Sequence, residues 1–349
     1  MATRRIDVGV LGATGPVGQR FVARLGRHPW FRVAWLAASR RSEGRRLPEL
    51  AWHLPEPVPE DARDLVIDAA TPGRGPRLVF SALDAATAST LEPAFAAAGH
   101  IVISNASSHR MDPLVPLLVP EVNADHLGLL AAQARDRGWS GAIVTNPNCS
   151  TVFLAMALGA LRALEPRAVL VTTLQAVSGA GYPGVPSLDI LGNVIPHIAG
   201  EEEKIESETR KILGVRRGDG VEFHPATISA QTTRVPVIDG HTEAISVRFE
   251  ARPSLEDVAR AFASFSGRPQ ELGLPSAPAR PVVYMEQADR PQPRLDAGRD
   301  DGMTVSVGRL RACPVLDVKF IVLGHNTVRG AAGAAILNAE LMLAERLLD

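Results

Sequence analysis

The sequence predicts an α/β protein in two units: a Rossmann-like dinucleotide-binding domain, then an α+β domain whose sheet is mostly antiparallel. Three observations predict it. The chain opens on a strand-like apolar run, Ile6 to Leu11, followed by the glycine-rich stretch Gly12-Ala13-Thr14-Gly15-Pro16-Val17-Gly18 and an apolar-periodic segment ending near Leu25. From about residue 149 the strand-like runs no longer alternate regularly with helices. The third is size: 349 residues, 46 % apolar and 21 % charged, suffice for two ordinary cores.

Strand, glycine turn and helix in that order form a phosphate cradle. Glycines let the backbone turn tightly and let a pyrophosphate approach the first helical N–H groups, where the helix dipole favours negative charge. Gly12, Thr14, Gly15, Pro16, Val17 and Gly18 are therefore candidate cofactor contacts. The spacing G-x-x-G-x-x-G is a variant of the dinucleotide fingerprint, and a plain connection is the alternative. Context favours the fingerprint, because further short apolar runs follow at Arg32 to Ala37, Leu65 to Ala69, Leu78 to Leu83 and Ile101 to Ser104.

The end of the second run selects the cofactor. An NAD site places Asp or Glu there to accept from the ribose 2′-hydroxyl. This chain has Ser39, Arg40, Arg41 and Ser42 after Ala38, and guanidinium forks flanked by hydroxyls suit a 2′-phosphate. NADP is the expected cofactor. The alternative is a solvated loop formed by Arg40, Arg41, Arg45 and Arg46.

Ala142 to Thr145 reads as another strand and Thr151 to Leu161 as an apolar helix, so Cys149, in the block NPNCST, falls at a strand-to-helix junction. A thiol of pKa ~8.5 is only a few per cent thiolate at neutral pH, and making it mostly thiolate takes about 2.7 kcal/mol. A helix terminus supplies ~0.3–1 kcal/mol, so a second group is needed. Histidine is the usual one. His241 follows the turn signal Asp239-Gly240 at the edge of an alternating run, where it is either that partner or a turn residue.

Other classes are disfavoured. A formal net charge of −1 without a long basic or acidic run gives no electrostatic footprint for nucleic acid. Two cysteines far apart, Cys149 and Cys313, form neither a disulfide framework nor a paired metal motif. No metal is expected, no apolar stretch matches a membrane span, and the expected location is the cytoplasm.

The ordered blocks GATGPVG, SNASSHRM, NPNCST, LQAVSGAGYPGVPSLDI, GEEEKIESETRKILG, RVPVIDGHT and HNTVRGAAGAAILNAEL resemble the aspartate-semialdehyde dehydrogenases, most closely the branch shared by archaea and fungi. The resemblance covers nearly the whole chain. It implies Cys149 as nucleophile, Asn148 holding substrate and oxyanion, Gln175 orienting the acyl group and His241 as acid/base. It further implies Arg234 clamping the substrate α-carboxylate, Glu201 meeting the amino group, and Arg110 and Lys204 holding phosphate. Asn105, Ser178, Gly179 and Asn326 become cofactor contacts in the same way. The implied reaction is NADP-dependent reductive dephosphorylation of L-aspartyl 4-phosphate to the 4-semialdehyde through a cysteine thioester, serving lysine, methionine and threonine biosynthesis. The implied domains are residues 1–148 with 327–349, and residues 149–326 for catalysis and dimerisation. The implied assembly is a homodimer or homotetramer.

Some residues depart from the pattern or carry blander readings. Glu203 stands where an aromatic residue is common, and Thr232-Thr233 where a Cys-Asn pair is, which bears on substrate preference. By composition alone, Glu201 to Lys204 read as the solvated start of a helix, Gln175 as a core amide and Cys313 as a small buried hydrophobe. Three functional alternatives stand beside the main one: malonyl-CoA reductase of the same branch, N-acetylglutamyl-phosphate reductase, whose cysteine block differs, and a non-catalytic NADP-binding protein.

Overall fold

The computed structural model describes residues 5–348. Six strands, β1 (Ile6–Leu11), β2 (Phe31–Ala38), β3 (Ile67–Ala69), β4 (Leu78–Ser81), β5 (Ile101–Ser104) and β6 (Ala142–Thr145), form one sheet in the order β3-β2-β1-β4-β5-β6. Every pairing is parallel. Parallel strands need crossovers, whose helices cover both faces, so the strands read as continuous apolar runs. Side chains alternate accordingly. Val8, Val10, Leu36, Phe80, Ile101 and Ile103 pack on one face, and Leu11, Trp35, Ala37, Val79, Val102 and Ile143 on the other.

The second sheet contains β7 (Pro166–Gln175), β10 (Thr227–Arg234), β11 (His241–Phe249), β12 (Val282–Met285), β13 (Val305–Ala312) and β14 (Val318–Gly324), in the order β10-β7-β11-β14-β13-β12. A separate two-stranded hairpin, β8 (Val215–Arg217) and β9 (Gly220–Glu222), lies outside it. The three central pairings are antiparallel and the two outer ones parallel. The sheet is therefore mixed, with the expected antiparallel character at its centre.

One helix, Cys149–Ala160, ties this sheet to the first. Val152 to Leu158 are all buried, packed with Val169, Val171, Ile245, Val247, Phe320 and Val322 of the second sheet. The opposite face is open: Leu170 is 49 % exposed and Leu174 38 %. The chain ends on Gly333–Ala344, whose Ile336, Leu337, Leu341 and Met342 join the core of the first sheet beside Val8 and Phe80. Among the described residues, no helix is long and apolar enough to cross a membrane.

Glu243 is an exception to core chemistry. It is fully buried on β11, both carboxylate oxygens lack hydrogen-bond partners, and burial raises its pKa well above the usual carboxylate range. The folded chain therefore holds a proton that the unfolded chain releases above its ordinary pKa, so this group destabilises the fold as pH rises. Glu243→Gln should raise the melting temperature at pH 7–8, with the advantage shrinking as pH falls toward 4.5, as calorimetry across pH will measure.

Candidate active site

The glycine turn has a distinct requirement at each position. Gly12 has φ +76°, and a Cβ on Gly18 would lie 2.1 Å from the Gly12 carbonyl oxygen. Both are therefore needed by the fold itself. Gly15 caps the helix Pro16–Leu25 with no side-chain hydrogen bond, and a Cβ there would meet nothing nearer than 3.6 Å. Space is open at the helix N-terminus, as a pyrophosphate requires. Gln19 braces the turn by donating to the carbonyls of Thr14 and Ala51.

The arginines after β2 divide into two pairs. Arg45 donates to the Glu49 carbonyl and Arg46 pairs with Glu49 and Asp64. Arg40 and Arg41 lie exposed in a single 3-10 turn between Ser39 and Ser42, with no side-chain acceptor among the described residues. These two are free to meet an anion. The groups present therefore fit a 2′-phosphorylated dinucleotide.

The residues expected to be catalytic are brought together by strand register. Arg234 pairs with Gln175 across the parallel β10–β7 ladder. Thr242 pairs with Leu174 across β7–β11, which puts His241 beside Gln175, one step further along. Arg234, Gln175 and His241 thus form one row at the strand ends, 6 %, 1 % and 0 % exposed. All three occupy the face that packs on the Cys149 helix. A slip of one residue would send any of them to the opposite face.

Cys149 is the first residue of its helix, and Asn148 is the N-cap, with Oδ1 accepting from Ser150 N–H at 2.9 Å and Thr151 N–H at 3.3 Å. Such a cap contributes about 0.5–2 kcal/mol. The helix begins two residues earlier than its apolar pattern suggests, because the cap recruits Cys149 and Ser150. Asn148 Nδ2 donates to both oxygens of Glu201 at 3.0 and 2.8 Å. Asn148, expected to help hold substrate and oxyanion, thus joins the cap of the nucleophile's helix to Glu201.

Cys149 Sγ lies 3.3 Å from His241 Nε2, and the backbone N–H of Ala176 donates to His241 Nδ1 at 3.0 Å. Because a backbone N–H can only donate, Nδ1 carries no proton and the neutral ring keeps its proton on Nε2, facing the sulfur. Burial, with Arg234 and His325 adding to it, pushes the imidazole down to about 3. Burial, with Glu201 adding to it, pushes the Cys149 thiol up to about 12, against the pull of Arg110, Arg234 and the Ser150 N–H. The pair is thus a neutral donor beside a thiol, and its hydrogen bond strengthens when the sulfur ionises.

The other expected residues surround this pair. Glu201 is a hub, accepting from Asn148, from Gln175 Nε2 at 3.3 Å and from Lys204 Nζ at 3.1 Å. Arg234 Nη1 donates to the Ala176 carbonyl at 2.8 Å. Arg110 donates from Nη2 to the Asn105 carbonyl at 2.8 Å and from Nη1 to Glu208 Oε1 at 3.0 Å. Gly179 lies against the catalytic row: a Cβ there would come 2.8 Å from Arg234 Nη1 and 2.9 Å from His241 Nε2. Asn326 joins two loops, donating to Ser178 Oγ at 2.8 Å and accepting from Gly240 N–H at 2.9 Å. Asn105 Oδ1 accepts from Asn146 Nδ2 at 2.8 Å.

Sequence reasoning missed two residues here. A Cβ on Gly330 would lie 2.7 Å from that of Cys149, so Gly330 is the wall behind the expected nucleophile. Glu208, seven residues after Glu201 on the helix Glu201–Ile212, is 2 % exposed and accepts from the Asn148 backbone N–H at 2.6 Å. The seven-residue spacing was its only signal, since it places both acids on one helix face.

Residues 7–130 match the family model for the semialdehyde dehydrogenase NAD binding domain, and residues 158–329 match that for the semialdehyde dehydrogenase dimerisation domain. An aspartate-semialdehyde dehydrogenase of Archaeoglobus fulgidus is 50 % identical, over 99 % of this chain and 100 % of that protein. The Saccharomyces cerevisiae protein of the same name is 44 % identical over the full length of both. The crystal structure of the Candida albicans aspartate-semialdehyde dehydrogenase with NADP superposes with a TM-score of 0.91 at 43 % identity, covering 99 % of this chain and 100 % of that one.

Proposed function

The chain belongs to the aspartate-semialdehyde dehydrogenase family, and from that premise we propose that Cys149, facing the Nε2–H of His241, is the nucleophile of a covalent acyl transfer. The enzyme catalyses NADP-dependent reductive dephosphorylation of L-aspartyl 4-phosphate to L-aspartate 4-semialdehyde, reversibly, through a cysteine thioester. The 3.3 Å contact between Cys149 Sγ and His241 Nε2 at a capped helix start carries the assignment of roles.

The chain's residues supply attack, orientation and charge. Cys149 attacks the acyl carbon as its thiolate, and the proton the thiol gives up is taken by the departing phosphate. The resulting oxyanion collapses, and the C–O bond to phosphate breaks with its electron pair leaving on phosphate. When bound, NADPH supplies the hydride that reduces the thioester carbon. His241 donates Nε2–H to the oxyanion on Cys149, and re-forming the carbonyl expels the thiolate back to that same donor. Neither collapse requires His241 to remove a proton. Splitting the substitution into two steps lowers the barrier of each.

Charges on the substrate meet charges in the site: Arg234 the α-carboxylate, Glu201 the amino group, Arg110 and Lys204 the phosphate. Gln175, held at Glu201, orients the acyl group. Arg40 and Arg41, with Ser39 and Ser42, hold the 2′-phosphate. Gly12 to Gly18 would receive the pyrophosphate, and Asn105, Ser178, Gly179 and Asn326 would supply further contacts to the cofactor. Residues 5–148 with 327–348 form the nucleotide domain, and the intervening segment the catalytic and dimerisation domain.

Two copies associate through the dimerisation domain. We assign the contact to the open face of the second sheet, where Leu170 and Leu174 are exposed. The two free thiols fit the reducing cytoplasm.

The deciding experiment runs the reaction backwards. With semialdehyde and NADP, oxidation should require phosphate or arsenate and ignore coenzyme A. Lys204→Ala should raise the KM for phosphate by roughly ten- to a hundredfold and that for aldehyde less, and Arg234→Ala should do the reverse. Dependence on coenzyme A instead would make the chain a thioester reductase.

Cofactor choice has its own test. Arg41→Ala should weaken NADP by about tenfold or more and leave NAD nearly unchanged, because a charge-assisted contact to phosphate contributes ~1.5–3 kcal/mol. Equal losses measured by fluorescence titration would make the loop a structural element.

A further inference from the structure

We propose that Glu208 is a positioning residue: one buried carboxylate that joins the phosphate-holding Arg110 to the turn presenting Cys149. Its Oε1 accepts from Arg110 Nη1 at 3.0 Å and its Oε2 from the Asn148 backbone N–H at 2.6 Å. Glu208 is 2 % exposed and Arg110 8 %, so both charges are largely out of water and each needs the other. The short contact to Asn148 is a charge-assisted bond to the residue that caps the nucleophile's helix and holds Glu201.

Helix periodicity makes the link possible. Glu201, Glu208 and Lys211 lie on the buried side of the helix Glu201–Ile212, and Lys204 projects partly into solvent beside Glu201. Lys211 Nζ donates to the carbonyls of Arg110 and Asp112 at 2.7 Å and Val115 at 2.9 Å. One helix face therefore fixes the main chain of the Arg110 segment through Lys211, its guanidinium through Glu208, and the Cys149 turn through Glu208. With Nη1 on Glu208 and Nη2 on the Asn105 carbonyl, Arg110 retains Nε, buried and without a partner, as a donor for an incoming oxyanion.

A carboxylate serves both partners because each oxygen only accepts. In Glu208→Gln the single amide oxygen satisfies one partner and the NH₂ group opposes the other. The proposal rests on the assignment of Arg110 to phosphate, so the experiment separates the two.

Steady-state oxidation of the semialdehyde is measured for wild type, Glu208→Gln, Arg110→Ala and the double variant, with NADP affinity and melting temperature as controls. Glu208→Gln should raise the phosphate KM about tenfold and lower kcat several-fold, with the aldehyde KM within twofold of wild type. In the Arg110→Ala background its effect on the phosphate KM should fall to twofold or less, because its partner is gone. An undiminished effect there, or equal shifts in both KM values, overturns the link.

Arg110→Ala with an unchanged phosphate KM overturns the phosphate assignment alone. The Cys149 arm is then decided by the rate of iodoacetamide labelling across pH, which should differ at least threefold between Glu208→Gln and wild type; identical profiles overturn that arm. If the glutamine variant does not fold, Glu208→Asp, charged but one methylene short, is expected to move the phosphate KM and the labelling rate in the same sense by smaller factors. Wild-type values in a folded aspartate variant overturn the proposal.

Discussion

Replacing Cys149 with alanine is expected to lower turnover by about 10⁴-fold or more, the scale on which loss of a covalent nucleophile is felt, while NADP binding stays within a factor of about two. The split follows from structure. Cys149 lies against Gly330 and His241, whereas the glycine turn and the two free arginines are separate elements of the nucleotide domain. The chemical check is mass spectrometry of wild type mixed with acyl phosphate in the absence of NADPH. The adduct should map to Cys149. Cys313, 6 % exposed, is the internal control, and an adduct there with Cys149 bare would refute the assignment.

His241→Ala should cost roughly 10²–10⁴-fold in kcat, and His241→Gln less, because glutamine keeps an N–H donor. The pH dependence is the sharper result. An imidazole pushed down to about 3 is protonated only below that value, so its working neutral form is fully present from pH 5 to 8. The kcat profile should accordingly show no imidazole ionisation there. The Ala176 N–H on Nδ1 enforces the same outcome, since an imidazolium would set its Nδ1–H against that N–H. Nitrogen NMR of labelled enzyme should find the proton on Nε2 throughout. An ionisation near 6.5 that disappears in His241→Gln would restore the ring to the role of base. A neutral imidazole acting as donor has a precedent in triosephosphate isomerase.

Much of the fold was legible because its signals are local. β5 and β6 fall where the apolar runs of the sequence place them, and the glycine turn sits between β1 and its helix. What escaped depends on partners distant in sequence. β10, TISAQTTR, is too polar to read as a strand, yet it pairs along β7 because its buried side chains are Ile228, Thr232 and Arg234. The strand-like runs on either side of Cys313 are legible too, as β13 and β14, joined by a turn around Cys313 to Asp317. The proline-rich stretch 278–296 contributes β12, whose partner β13 lies twenty residues on.

The site divides in the same way. Residue types and order single out Cys149 and His241 as candidates, but the row that aligns Arg234, Gln175 and His241 is a matter of register between three strands. Glu208 was hidden by its neighbours. In an acidic helix start it reads as solvent-facing, and only burial against Arg110 and Asn148 distinguishes it from Glu202 or Glu203.

The C-terminal helix has a consequence for synthesis. Its Ile336, Leu337, Leu341 and Met342 belong to the same core as Val8, Val10 and Phe80. The ribosome delivers those first strands early, then makes 187 further residues between the end of β6 and the helix that completes their core. At ~5–20 residues per second that interval is roughly 10–40 s. Throughout it, Phe80 and its neighbours lack their cover. The contiguous second sheet, by contrast, is complete once β14 has emerged, so the domain made last is the first whose chain is whole.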